Sequence, residues 1–240
     1  MRAMASILPL TVDELSYRAG GALLLDAITF TLPQGGISVI IGPNGAGKSL
    51  LLRLCHGLLT PASGRIGWSS PAGFVAGRKR HAMVFQRPVM LRRSVRANLV
   101  HHLTAAGADD VASRCDRALQ RFGLTEIADR PARRLSGGEQ QRLAIARAWA
   151  LEPEVLFLDE PSAHLDPGAT KAIEDIIRGL AAEGLTIVMT THDLGQARRL
   201  GQRVLFLHAG RLVEDADSSA FFASPSTAQA RAFLAGELLW

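Results

Sequence analysis

ISVIIGPNGAGKSLLL, residues Ile37 to Leu52, joins an apolar run of strand length to a glycine-rich turn and the start of a helix. Gly42, Gly47, Lys48 and Ser49 fit the spacing G-x-x-x-x-G-K-[ST], and the flanking strand and helix are the context that spacing demands. Gly42, Gly45 and Gly47 let the backbone turn its N–H groups toward one point, where the helix adds its unpaired donors and the positive end of its dipole. Such a nest takes an anion. Lys48 can set a point charge on terminal phosphates, and the Ser49 hydroxyl can ligate a Mg²⁺ that bridges them.

Around this stretch the chain has the size of one large α/β domain, 240 residues and 25.7 kDa. A hydrophobic fraction of 48% with 20% charged residues is that of an ordinary globular chain. No uninterrupted apolar run reaches about 18 residues, so the chain is not expected to span a membrane. Asp13 and Glu14 interrupt the amino-terminal apolar patch before a signal-peptide core can form. Cys55 and Cys115 fit neither a disulfide framework nor a metal-ligand spacing, which argues for the cytoplasm. The net charge of +5 is scattered rather than clustered, and nucleic acid is not an expected partner.

Upstream, Leu10 to Leu32 read as short antiparallel strands, with Ile28, Phe30 and Leu32 alternating with Thr29 and Thr31. Tyr17 either stacks on a nucleotide base or packs as strand aromatics usually do. Downstream, a helix is expected from Ser49 to about His56, then a turn and hairpin in GLLTPASGRIGW, then a short strand from His81 to Gln86. Pro88 ends that strand. A helical pattern from about Ser94 to Phe122 predicts an inserted helical subdomain at about 88–134. LSGGEQ, Leu135 to Gln140, opens the next helix with a serine at the cap and two glycines, a second candidate phosphate nest.

Val155 to Leu158 is an unbroken apolar run that suits a strand buried on both faces of a parallel sheet. Asp159 and Glu160 follow at its carboxyl end, where open α/β sheets hold ligands. Asp159 suits a Mg²⁺ ligand, directly or through water, and Glu160 a general base for an attacking water; the alternative is that one of them caps the next turn. SAHLDPG, Ser162 to Gly168, is a polar loop before a helix from Lys171 to Ala182, whose Ile173, Ile176, Ile177 and Leu180 form a core stripe. Thr186 to Thr190 reads as a strand and places His192 at the same sheet edge, where it can sense a phosphate. A hairpin about Ala209-Gly210 and one or two short helices complete the pattern.

With these residues in view, the chain resembles the ATP-binding subunit of ABC transporters along nearly its whole length. GPNGAGKS is similar to that family's Walker A, VLFLDEP to its Walker B, and LSGGEQ to the signature motif that other P-loop proteins lack. The resemblance implies a P-loop α/β core with an N-terminal antiparallel β subdomain and an inserted helical subdomain, and it implies ATP and Mg²⁺ as cofactors. It places Gly42, Pro43, Asn44, Gly45, Ala46, Gly47, Lys48 and Ser49 around the nucleotide, with Tyr17 on the adenine. Ser136, Gly137, Gly138 and Gln140 meet the ATP of a second subunit facing head to tail, so a homodimer is implied. Ser49, Gln86 and Asp159 stand at the metal, and Glu160, Gln86 and His192 at the reaction. His164 stands in the D-loop where a small residue is commoner, and Gly36 replaces a usual Glu. The implied function is ATP hydrolysis at the cytoplasmic face of the membrane, driving a separate permease. A non-transport ABC ATPase of DNA repair or translation is the alternative, and a P-loop kinase or GTPase is disfavoured by LSGGEQ and Glu160. Arg87 to Asn98, RPVMLRRSVRAN, is expected to form part of the permease-docking groove. This segment resembles that of oxyanion importers of the tungstate type, which work with a substrate-binding protein.

Overall fold

The computed structural model describes residues 6–70, 73–75 and 78–237. The first five residues of the amino-terminal stretch and the last three of the expected helical tail lie outside it. Strands β1 (Leu10–Ala19), β2 (Ala22–Leu32) and β3 (Ile37–Ile41) lead into helix α1 (Lys48–His56), followed by β4 (Ser63–Trp68). The two-residue strands β5 (Phe74–Val75) and β6 (Arg78–Lys79) precede β7 (His81–Val84). Helices α2 (Val95–Ala105), α3 (Val111–Arg121) and α4 (Gly137–Trp149) separate β7 from β8 (Val155–Asp159). Then α5 (Pro167–Ala182), β9 (Thr186–Thr190), α6 (Leu194–Leu200), β10 (Arg203–His208) and β11 (Arg211–Asp217) follow, and α7 (Ser218–Ala223) and α8 (Ala228–Leu234) close the described chain.

Six strands form one sheet in the order β11-β10-β3-β9-β8-β7. All are parallel except the edge strand β11, which returns antiparallel from β10 through the expected turn at Ala209-Gly210. Every residue of β3, β8 and β9 is buried, as apolar strands covered on both faces require. Because the strands run the same way, the segments following β3, β7, β8 and β9 all emerge at one edge. That edge is where the motif residues collect.

A second, antiparallel sheet has the order β2-β1-β4. The segment expected to be a hairpin of its own is instead the single strand β4, which pairs with β1 some fifty residues earlier, Leu10 facing Trp68. Its alternation is weak, and the partner that completes it is distant in sequence. Between the two sheets sits α1: Leu51, Leu52 and Leu54 share one core cluster with Leu10, Val12 and Ile28 on one side and Phe157, Val188 and Leu205 on the other. On the opposite face, Leu99, Leu103, Leu119 and Leu143 of the helices after β7 join Val39, Leu156 and Ile187 in a single core. Those inserted helices therefore have no separate hydrophobic centre. Burial holds Cys55 and Cys115 as free thiols, and it pushes the Cys55 thiol up to about 12.

Helix starts follow side-chain caps. Ser94, Ser136, Asp166 and Asp193 each accept a bond from a backbone N–H in the first turn of α2, α4, α5 and α6. Helix α5 begins at Pro167, four residues before the expected Lys171, since Asp166 caps it and proline suits the first helical position. Ile173, Ile177 and Leu180 are fully buried as expected, while Ile176 is half-buried. The same face also buries Glu174. Its carboxylate accepts two bonds from Arg199 of α6, at 3.0 and 2.6 Å, and one from Gln196 at 3.2 Å. Gln196 Nε2 also donates to Ser162 Oγ at 2.7 Å, tying the loop after β8 to α6.

Arg199→Ala leaves that buried carboxylate with Gln196 alone and is expected to cost about 2 kcal/mol at neutral pH in urea unfolding. The hydrogen bond from Arg199 is the main influence that holds Glu174 below the ordinary carboxylate range. A depressed folded-state pKa gives stability that is present above the ordinary carboxylate value and lost as pH falls through the folded value. The gap between Arg199→Ala and the unsubstituted chain is thus expected to narrow on acidification, which unfolding at a series of pH values measures.

Candidate functional site

The turn after β3 can form only because two positions lack a side chain. Gly42 has φ +148°, and a Cβ there would lie 2.0 Å from the Leu207 carbonyl oxygen; at Gly47, φ +98°, a Cβ would meet Leu25 Cδ2 at 2.3 Å. Gly47 caps α1 without a side-chain acceptor, and the first turn holds no acidic residue of its own, so the helix turns its backbone donors and the positive end of its dipole to the glycine-rich turn. Pro43 to Ala46 close the turn through the bond from Ala46 N to Pro43 O at 3.2 Å, with Asn44 and Gly45 exposed on its rim.

Lys48 is buried. Its Nζ donates to the carbonyls of Gly42 (2.8 Å) and Pro43 (3.0 Å), folding the ammonium back over the turn. Burial pushes its pKa below the ordinary lysine value, and the negative charges of Glu160 and Asp159 oppose that shift. Ser49 Oγ donates to Asp159 Oδ1 at 2.7 Å. Asp159, 2% exposed, also receives a hydroxyl bond from Thr190 at 2.8 Å and has Arg53 at 3.9 Å.

Beside Asp159, Glu160 turns its carboxylate toward two residues from other strand ends. His192 Nδ1 lies 3.0 Å from Glu160 Oε2, and Gln86 Nε2 donates to the same oxygen at 3.3 Å. With the carboxylate ionised, Nδ1 carries the proton and donates it. Gln86 lies beyond the end of β7, which stops at Val84 instead of running on to Gln86. The structure thus gathers Lys48, Ser49, Gln86, Asp159, Glu160 and His192 at one sheet edge. Their donor set of hydroxyl, carboxylate and amide oxygens is hard and sparse, and it fits a Mg²⁺ that takes its remaining ligands from phosphate and water. Tyr17 sits half-buried on β1 opposite Leu25, the residue that packs on Gly47.

The second motif is complete within its own turn. Ser136 Oγ accepts from Glu139 N (3.3 Å), Glu139 Oε2 accepts in turn from Ser136 N (2.8 Å), and Gln140 Nε2 donates to Leu135 O (2.9 Å). Both glycines face α5 and the loop before it: a Cβ on Gly137 would reach Leu165 Cδ2 at 3.2 Å, and one on Gly138 would reach Ala169 Cβ at 2.8 Å. Among the described residues, no hydrogen bond or ion pair joins Ser136, Gly137, Gly138 or Gln140 to the turn at 42–49.

A family profile described as ABC transporter matches residues 25–163. The chain belongs to the ABC transporter family. It is an ATPase of that family, with the family's α/β fold. The phosphate import ATP-binding protein PstB 2 of Natronomonas pharaonis is 35% identical over 96% of this chain and 88% of its own length. The methionine import ATP-binding protein MetN of Caulobacter vibrioides is 39% identical, covering 91% and 69%. The tungstate uptake system ATP-binding protein TupC of Peptoclostridium acidaminophilum is 37% identical, covering 85% and 97%. The solved structure of cbiO1 from Clostridium perfringens, described as part of the ABC transporter complex cbiONQ, superposes with a TM-score of 0.80 at 32% identity over 91% of each chain. No described helix of this ABC ATPase is long and apolar enough to cross a membrane.

Sequence reading passed over Thr190 and Arg53, both against Asp159. Thr190 was legible only as a β-branched strand residue, and Arg53 only as part of the α1 helix. Gly138→Ala gains about 0.5–1 kcal/mol of helix propensity but forces a methyl against Ala169, at an overpacking cost of about 1–3 kcal/mol. Net destabilisation is expected in a thermal melt, with recovery when Ala169→Gly is added.

Proposed function

We propose that this ABC ATPase binds ATP with Mg²⁺ and, as one half of a head-to-tail homodimer, drives import of a solute through a separate permease. The observation that carries the chemistry is the convergence of Gln86 and His192 on Glu160, beside Asp159 and the glycine-rich turn. Gly42 to Ser49 hold the phosphates, Tyr17 the adenine, and Ser49, Asp159 and Gln86 the metal. When bound, Mg²⁺ neutralises charge on the transferring phosphoryl group. Glu160 orients a water and takes its proton, while His192 keeps the Glu160 carboxylate and the terminal phosphate in register. Glu160→Gln keeps the shape and removes the base, so ATP hydrolysis is expected to fall by about 10²–10⁴-fold with nucleotide still bound. Turnover close to the unsubstituted rate would end this assignment.

Ser136, Gly137, Gly138 and Gln140 contribute to the partner subunit's ATP. That they satisfy one another and make no bond to the turn at 42–49 of their own chain supports this arrangement. Ser136→Asp preserves the cap, since aspartate caps as well as serine does, but sets a carboxylate beside the partner's γ-phosphate. Light scattering is expected to show ATP-induced dimers for Glu160→Gln and none for Glu160→Gln carrying Ser136→Asp. Equal dimerisation of both would exclude the shared site.

The permease binds along Arg87 to Asn98, at the cytoplasmic membrane face. Phe85 and Val89, 43% and 74% exposed, border a cavity of about 700 Å³ that His102 and Arg147 also line, and Arg92 and Arg93 stand exposed nearby. The cargo is an oxyanion such as tungstate or molybdate, delivered by a substrate-binding protein. The phosphate and tungstate relatives support that class, while the methionine relative, at similar identity, favours a broader one. The reading as a DNA-repair or translation ATPase draws no support from any of these similarities. ATPase activity reconstituted with permease and binding protein is expected to rise with tungstate, molybdate or phosphate; a rise with an amino acid alone would overturn the oxyanion reading.

A further inference from the structure

We infer that Thr190 is a positioning residue for hydrolysis, holding the backbone of Glu160 and the carboxylate of Asp159 with one hydroxyl. The inference rests on Glu160 being the base. Thr190 is the last residue of β9, 0% exposed, and faces Asp159 in the parallel register. Its Oγ1 accepts from Glu160 N at 3.0 Å and donates to Asp159 Oδ1 at 2.8 Å. A hydroxyl has a single proton. An ionised carboxylate can only accept, so that proton goes to Asp159 while a lone pair of the same oxygen takes the Glu160 N–H.

Glu160 needs such an anchor. Its φ is +45°, a left-handed conformation that a residue with a Cβ adopts only when its surroundings impose it. The strand ladder ends one residue earlier at Asp159, so the Glu160 N–H has the Thr190 hydroxyl in place of a backbone carbonyl. The left-handed turn is what redirects the chain so that residue 160 reaches Gln86 and His192. Those two partners are exposed, whereas Thr190 is buried in the core. Asp159 gains likewise: Ser49 shares its Oδ1, and if that hydroxyl turns to a metal, Thr190 is the donor left on that oxygen.

Valine matches threonine in shape and removes both bonds; serine keeps them. For the full chain carrying Thr190→Val, Thr190→Ser, Glu160→Gln or Thr190→Val with Glu160→Gln, kcat and KM for MgATP, ATP affinity without Mg²⁺ and thermal midpoint are measured. Thr190→Val is expected to lower kcat by about 10–100-fold, the range that a displaced reacting group costs, with KM and ATP affinity within about twofold. Thr190→Ser is expected to restore most of the rate, and the double variant to be no slower than Glu160→Gln alone, because the two residues act as a unit. Thr190→Ala lacks the same hydroxyl and takes the place of valine if that variant does not fold. A hydroxyl-free variant that keeps the unsubstituted kcat, a serine variant as slow as valine, or a loss of affinity in step with kcat would overturn the inference. Normal hydrolysis by Glu160→Gln would instead overturn the reading of the base itself.

Discussion

A carboxylate that is 2% exposed has to be compensated, and in this chain the compensation of Asp159 organises the site. Burying an unpaired charge costs several kcal/mol, so each donor to Asp159 is held there by need as well as by geometry. Ser49 brings the start of α1, Thr190 brings the end of β9, and Arg53 adds a charge from the next turn of α1. Two elements distant in sequence, α1 and β9, are thereby fixed to the end of β8 around one pair of oxygens. The sheet supplies the coarse placement through its parallel register, and the carboxylate refines it.

Lys48 shows the same logic with the opposite sign. Its ammonium, buried and pushed toward its neutral form, rests on two backbone carbonyls while two carboxylates lie close enough to favour its charge. A polyphosphate entering the turn would offer it a stronger partner than either carbonyl. The exposed pair of contacts at Glu160 is weaker than the buried set at Asp159. Electrostatic rigidity in the site therefore falls off from Asp159 toward Glu160.

Much of this was legible in the chain itself because it is local. The spacing of Gly42 to Ser49, the apolar run ending at Asp159, the serine cap of LSGGEQ and the alternation of β2 each depend on neighbours within a few residues, and each formed where the pattern put it. What escaped depends on long-range pairing. Strand β4 has no visible partner in its own neighbourhood and finds it in β1. Glu174 reads as a polar position on a helix until Arg199 and Gln196 arrive from α6. Thr190 reads as a β-former, and only the parallel register shows that its hydroxyl faces Asp159. The resemblance to the family pointed to the residues gathered at this sheet edge; it did not show which buried groups hold them.

The packing of Gly138 against Ala169 has a genetic consequence. If Gly138 also meets a partner's nucleotide, as proposed, it is under two separate pressures, one of which, the tight internal joint, acts in every isolated subunit. In a chain of this size a loss of 1 kcal/mol lowers the melting temperature by about 2–4 °C. Small replacements at position 138 would then emerge from a screen as temperature-sensitive alleles, with transport intact in the cold, and only larger or charged ones as outright nulls. Intolerance of substitution at such a glycine would then be no measure of a part in the reaction, because folding alone would account for much of it.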